Sequence, residues 1–355
     1  MSLLWYSLYI LIVLAFTYLS EHTKYKTAFL AFSFLVCVSF YIIRFDVGPD
    51  YIGYVRAFKT YADGGEILWD SDYTLWGILS KIFSWTDRGY IFVFGIYGVI
   101  TQVFLFYTLK HRGVLFGGLF LFYTLGFFFH SLDQVRQFAA ISIFLYSIRY
   151  IEKHSFFNFF LISIILFFVH HSVIICMLLY PLYNRTRLSK YYIAIPVFSF
   201  LLILYFHQVF NSLWNKLYYM AAFVYPNYID SIYSTTAGDY KTGLGHLFIS
   251  TIGIFCVLLT PQKYYIMRNM VFIGTILHIV AAGNLPLERL SLYYSIFVCI
   301  TLPTVLRIKS LLIKVIVAMF CVIYWCKNVG RSNFEFKTIF SNEFAIEYFE
   351  PRNDL

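Results

Sequence analysis

The sequence predicts an all-α, polytopic integral membrane protein with about eleven or twelve transmembrane helices, whose external loops form the functional site. Three observations predict it. Of 355 residues, 60% are hydrophobic and only 13% are charged. The mean hydropathy is +0.72. Apolar runs of about 15 to 25 residues recur from end to end, the length a helix needs to cross a hydrocarbon core ~30 Å thick. The longest polar gaps between them are about thirty residues, which leaves no room for a soluble domain.

The expected spans are about 3–19, 27–43, 90–109, 114–130, 136–151, 157–180, 191–210, 244–260, 269–282, 289–306 and 311–326, with a short, weak twelfth at 73–85. The first run has no charged n-region and no small-residue cleavage site, so it reads as a retained span. Pro196 and Pro303 fall inside spans and are expected to kink them. Residues 1–327 read as one transmembrane domain with external loops at about 44–72 and 211–243. Residues 328–355 read as a polar tail of mixed charge lying on the surface.

The net charge is +9, from 27 basic and 18 acidic residues. Nucleic acid is not the implied partner. The basic residues stand in short loops between spans, where charge asymmetry across the membrane and anionic lipid headgroups account for them. The gap 44–72 holds Arg44, Arg56 and Lys59 against Asp46, Asp50, Asp63, Glu66, Asp70 and Asp72, and reads as external. The loops at Lys24/Lys26, Lys110/Arg112, Arg149/Lys153, Arg185/Arg187/Lys190, Lys263/Arg268 and Arg307/Lys309 read as cytoplasmic. One conflict follows: Lys153 and the 185–190 cluster both belong inside, yet only 157–180 separates them. Either that segment breaks near its histidines and turns back, or every later loop is inverted. Counting 73–85 as a span moves the violation to 110–112 and 149–153. The six cysteines all lie in apolar runs, with no CxxC pair and no metal-ligand spacing, so neither a disulfide framework nor a metal site is expected.

Four constellations carry chemistry. The first centres on Arg136 and Gln137, at the head of an apolar helix, and on His170 and His171 in the next one. Lys153, in the turn between, lies seventeen residues from both Arg136 and His170. At ~1.5 Å per residue each polar group stands roughly 25 Å from that turn, so the two should lie at one depth. A guanidinium or imidazole within apolar helices is costly, and function is its default explanation. A snorkelling arginine or a packing histidine would explain either one alone. Asp133 would pair with Arg136 if the helix began that early.

The second is Arg44-Phe45-Asp46-Val47-Gly48-Pro49-Asp50-Tyr51. Gly48 permits a tight turn, Pro49 suits the first position of a helix and Asp50 its first turn. Tyr51, Tyr54 and Phe58 share a face, giving an amphipathic helix suited to the membrane interface, with Arg44 at the headgroups. The third is Glu288-Arg289 with Tyr293 one turn on. The fourth is the aromatic-rich gap 211–243. Three arginines (Arg44, Arg136 and Arg289) at the external ends of three spans, without a Walker motif, suit a diphosphate carried on a lipid, because guanidinium forks match phosphate oxygens. A nearby histidine or aspartate would take a proton from an acceptor hydroxyl.

At these residues the chain resembles the EpsG-like branch of the Wzy-type polymerases of bacterial surface polysaccharides. The matching pieces are Arg44…Gly48-Pro49-Asp50-Tyr51…Tyr54, Arg136-Gln137-Phe138-Ala139, Phe168-Val169-His170-His171-Ser172 and Glu288-Arg289-Leu290…Tyr293-Tyr294, in order over about 250 residues. The resemblance implies a multi-pass glycosyltransferase of the bacterial inner membrane that polymerises undecaprenyl-diphosphate-linked repeat units into O-antigen or exopolysaccharide on the periplasmic face. Its partners would be the lipid-linked donor and acceptor glycans, membrane lipids, a flippase and a chain-length regulator. No cofactor, metal or nucleotide sugar is implied.

On this reading Arg44, Arg136, Gln137, Arg289, Tyr51 and Tyr293 bind substrate and diphosphate, and His170 or His171 is the general base, with Asp46 and Asp50 as competitors. The alternatives are a flippase or exporter of the same lipid-linked oligosaccharide, which would bind diphosphate without chemistry, and an O-antigen ligase, which shares the donor.

Overall fold

The computed structural model describes residues 2–65, 74–178, 180, 194–198, 244–281, 285–329 and 334–340. Among them every regular element is helical, apart from one isolated antiparallel bridge between Arg44 and Thr338. The helices are α1 (Ser2–His22), α2 (Lys26–Ile43), α3 (Tyr51–Ala62), α4 (Leu75–Ile82), α5 (Tyr90–His111), α6 (Leu115–Thr124), α7 (Phe127–Asp133), α8 (Val135–Glu152), α9 (Phe156–Val169) and α10 (Ile174–Leu178). They continue as α11 (Leu244–Leu259), α12 (Tyr265–Val280), α13 (Leu285–Ser295), α14 (Val298–Leu306) and α15 (Leu311–Val329).

Four of these, α1, α2, α5 and α15, are each long and apolar enough to cross a bilayer. Three bent pairs bring the described spans to as many as seven: α6 with α7 at 66°, α11 with the segment through α12 at 117°, and α13 with α14 at 41°. The chain is an all-α, multi-pass membrane protein. The expected span 191–210 and the loop 211–243 lie largely or wholly outside the described residues.

Breaks in the helices account for most departures from the expected spans. The run expected at 114–130 is cut at Gly126, whose φ of 86° ends α6 in a conformation that costs glycine nothing. The run expected at 157–180 is helical only to Val169. His170 is non-helical, His171–Val173 form a 3-10 turn and α10 is short. The histidines therefore sit at a break, as the first resolution of the charge conflict requires. Pro303 lies inside α14, and the bend in that span falls earlier, between Ser295 and Val298.

The described residues form two compact units. The first lies within Met1–Tyr146, Phe168–His170 and Val315–Leu355, and the second within Ser147–Phe167 and His171–Lys314. In the first, α2 packs on α1 and α5, and α3 packs on α4 and α5. Gly95 and Gly98 lie one turn apart on α5 and allow α2 to come close. A Cβ on Gly98 would stand 2.6 Å from the Cβ of Tyr41, and one on Gly95 would stand 3.0 Å from Ile42. That approach brings the end of α2 over the ring of Phe94. The apolar face of α3 is covered by protein: Tyr51 stacks on Phe94 at 5.0 Å, Tyr54 lies on Trp76 at 4.7 Å, and Phe58 meets Tyr90 at 6.0 Å. This helix, expected to lie in the lipid interface, is part of the core of the first unit.

Candidate functional site

The first unit joins two motifs that are far apart in sequence. After α2 the chain turns sharply through Asp46 (φ 49°) and Gly48 (φ 98°) before α3 begins at Tyr51. Asp50 is the N-cap rather than a first-turn residue, and its backbone N–H donates to Oδ1 of Asp133 at 2.8 Å. Gly48 lies against the same residue: a Cβ there would meet the Asp133 Cα at 3.2 Å and Oδ1 at 3.3 Å. The Gly-Pro-Asp turn thus rests directly on the junction between α7 and α8. At that junction Asp133 ends α7, Gln134 leaves helical geometry (φ −98°, ψ 56°) and α8 starts at Val135. Asp133 and Arg136 are therefore on different helices, so the spacing of a single helix does not relate them.

Arg44 is the staple of this arrangement. It is 1% exposed. Its Nη1 donates to the carbonyl of Val47 at 3.0 Å and to that of Leu132. Leu132 lies in the last turn of α7, where helix carbonyls lack intrahelical partners and carry partial negative charge. The guanidinium carbon is 4.6 Å from the centroid of Phe94 and 5.3 Å from that of Tyr51. Nε and Nη2 have no hydrogen-bond partner among the described residues, and these two rings cover the guanidinium. A desolvated cation–π contact is worth ~2 kcal/mol. Burial pulls the Arg44 pKa down from its ordinary value, and Tyr51, Tyr41 and Asp133 oppose that shift. An arginine free to snorkel would reach water, so the expected position among lipid headgroups is replaced by an interior one.

Arg136 and Gln137 lie in the first turn of α8, 7% and 4% exposed. Beside them Gln134 is 3% exposed, and its Nε2 lies 3.5 Å from Nδ1 of His130. A cation gains nothing from the positive end of a helix dipole, whereas an anion is favoured there. A buried arginine in that position adds to the positive field. His170 belongs to this first unit, and His171 to the second. The ring of His171 packs on Phe167 with centroids 4.6 Å apart.

In the second unit, Ser172 Oγ and Tyr293 Oη lie 3.0 Å apart, linking the turn after the histidines to α13. Arg289 stands on α13 one turn before Tyr293, half-buried. This unit also holds a pair not anticipated from the sequence: His246 on α11 and His278 on α12 stack with centroids 4.2 Å apart.

The described part of the tail makes contacts that its composition does not announce. Residues 334–340, expected on the surface, run antiparallel to the end of α2. Phe45 N–H donates to Lys337 O at 3.1 Å, and Ile339 N–H donates to Ile43 O at 2.8 Å. The second bond satisfies a terminal carbonyl of α2. Phe336 packs against Trp5, Tyr6 and Phe40, and Phe334 against Phe129. Lys337 Nζ lies 3.9 Å from Asp46 Oδ2.

A profile of the EpsG family matches residues 27–342, nearly the whole chain and every motif described above. No match was found among curated proteins, nor among solved structures. The extent of the family match, over a fold of apolar helices, places this chain among the membrane proteins of polysaccharide biosynthesis: it belongs to the EpsG family.

Proposed function

We propose that this chain is a membrane glycosyltransferase that polymerises polyprenyl-diphosphate-linked oligosaccharide repeat units into a surface polysaccharide such as O-antigen or exopolysaccharide. The carrier is undecaprenyl diphosphate and the working face is the periplasmic side of the inner membrane. One observation carries the proposal: the Arg44–Tyr51 turn and the start of α8, with Arg136 and Gln137, meet at Asp133. The family's general role in polysaccharide biosynthesis supports it.

The reaction needs few parts. A hydroxyl oxygen of the acceptor sugar attacks the anomeric carbon of the donor glycan. The bond from that carbon to the diphosphate oxygen breaks, the lipid diphosphate leaves with the electron pair, and the hydroxyl proton passes to a base. Arg136 and the first turn of α8 stabilise the charge growing on the diphosphate. Gln137 donates to the same group. Arg44, whose Nη1 is committed to two carbonyls, acts by holding the turn. Tyr51 fixes that turn from below, its hydroxyl directed at the Arg44 carbonyl at 3.4 Å.

His170 is the proposed base, since the ring of the adjacent His171 packs on Phe167. Elongation of lipid-linked repeat units by purified protein in proteoliposomes tests this. His170→Ala is expected to lose nearly all chain extension, ~100-fold or more in rate for a lost general base. His171→Ala is expected to lose little. If both variants elongate at the normal rate, the base is Asp46 or Asp50 and the histidines pack. If the normal protein moves the lipid-linked units across the bilayer without joining them, the flippase reading replaces this one. Transfer of finished glycan to lipid A core would identify a ligase.

A further inference from the structure

The segment 334–340 is the longest described piece of chain beyond α15, and it docks on the loop that carries Arg44 and Asp46. We propose that it is a working clamp of the site: its backbone holds the Arg44–Asp50 turn, and Lys337 is a positioning residue for Asp46. As far as it concerns catalysis, this rests on the polymerase reading above.

The turn has reasons to need a clamp. Asp46 holds a positive φ of 49°, a conformation that costs an L-residue about 1–2 kcal/mol. The end of α2 leaves carbonyls without intrahelical partners. The segment answers both needs. Ile339 N–H takes the Ile43 carbonyl, the Lys337 carbonyl takes Phe45 N–H, and Lys337 Nζ approaches the Asp46 carboxylate. Phe45 directly precedes Asp46 and Ile43 lies three residues before it, so that position is held from the side of α2. The segment is itself anchored by alternation. Phe334 and Phe336 point into aromatic clusters, and Phe336 N–H donates to Ser2 Oγ at 3.0 Å. Glu335 and Lys337 are directed the other way, 3.6 Å apart.

Magnitudes separate the two roles Lys337 could have. Its contact with Asp46 is 3.9 Å long between side chains 26% and 32% exposed. Such pairs contribute only ~0–1 kcal/mol to stability. The pair therefore adds little to folding, and its effect is to fix where the carboxylate of Asp46 points. That carboxylate is solvent-accessible, with lone pairs suited to accept hydrogen bonds from sugar hydroxyls. Asp46 is thus assigned to orient the acceptor sugar.

The test uses full-length protein in proteoliposomes with lipid-linked repeat units, and reads hydrogen exchange as well as rate. Lys337→Ala is expected to raise KM for the acceptor up to ~5-fold, the effect of losing a contact worth ~1 kcal/mol, with kcat changed less than ~2-fold. Lys337→Arg restores KM. Ile339→Pro removes the N–H given to Ile43 and is expected to speed amide exchange at Phe45 and through 44–51. Phe340→Ala, at a ring 79% exposed, changes neither readout. If exchange over 44–51 is unchanged in Ile339→Pro, the clamp is refuted whether or not the protein elongates glycans. If Ile339→Pro does not fold, the backbone pairing is essential, and Lys337→Ala decides the positioning role. Unchanged KM in Lys337→Ala, or a loss that Lys337→Arg fails to restore, overturns that role. If exchange rises as expected while even the unaltered protein fails to elongate, the clamp stands and the polymerase reading falls.

Discussion

Arg136→Ala is expected to lower elongation at least ~100-fold while leaving the amount of folded protein in the membrane unchanged. Removing one preorganised donor from a developing charge costs ~10²–10³ in rate. Arg136 is 7% exposed at the start of α8, where the helix dipole opposes a cation. Arg136→Lys should recover little, because an ammonium cannot make the planar fork that a diphosphate accepts. Rate per mole of protein in proteoliposomes, with yield checked by size-exclusion profile, measures both halves. Full activity in Arg136→Ala at matched protein level removes this residue from the site.

Arg44→Met is expected to act in the opposite manner, by loss of fold. The substitution keeps length but deserts two buried carbonyls, those of Val47 and Leu132, and leaves the space between Phe94 and Tyr51 without its cation. Each orphaned carbonyl costs ~1–3 kcal/mol, and breaking one side of a buried charged contact costs ~3–5 kcal/mol. A loss of that size should appear as a lower unfolding temperature in detergent and a smaller monodisperse fraction. Arg44→Lys should recover part of it, since an ammonium reaches one carbonyl but does not stack. If Arg44→Met folds with normal stability and only elongation is lost, Arg44 contacts substrate directly rather than holding the turn.

The membrane class and most helices were legible in the sequence because apolar length alone specifies them. The turn at Gly48 was legible because Gly-Pro-Asp admits few conformations, and φ there is 98°. The partner of Arg44 was not. It is the carbonyl of Leu132, 88 residues away, and a backbone acceptor leaves no mark on residue type. The break at Gly126 was hidden for a related reason: hydrophobicity continues through it, while the helix does not. The break at His170 was one of the two resolutions that the loop charges left open. The docking of residues 334–340 did have a signal. Phe334-Glu335-Phe336-Lys337 alternates with the period of an extended strand, but four residues are too few to outweigh the polar composition around them. For the candidate site, the Arg44–Tyr51 turn and the Arg136-Gln137 helix start were both visible as sequence motifs. That the turn rests on Asp133, through Asp50 and Gly48, depended on how α7 ends, which the sequence does not specify.

The most direct test of the account is the surface-glycan ladder of cells from which this chain has been deleted. If the chain joins repeat units, export and ligation continue without it, and the ladder collapses to a single repeat unit attached to its anchor. Restoring the chain restores the ladder, and restoring the Arg136→Ala variant does not. A complete absence of repeat units from the deleted cells would contradict polymerisation and place the chain at the flippase or ligase step.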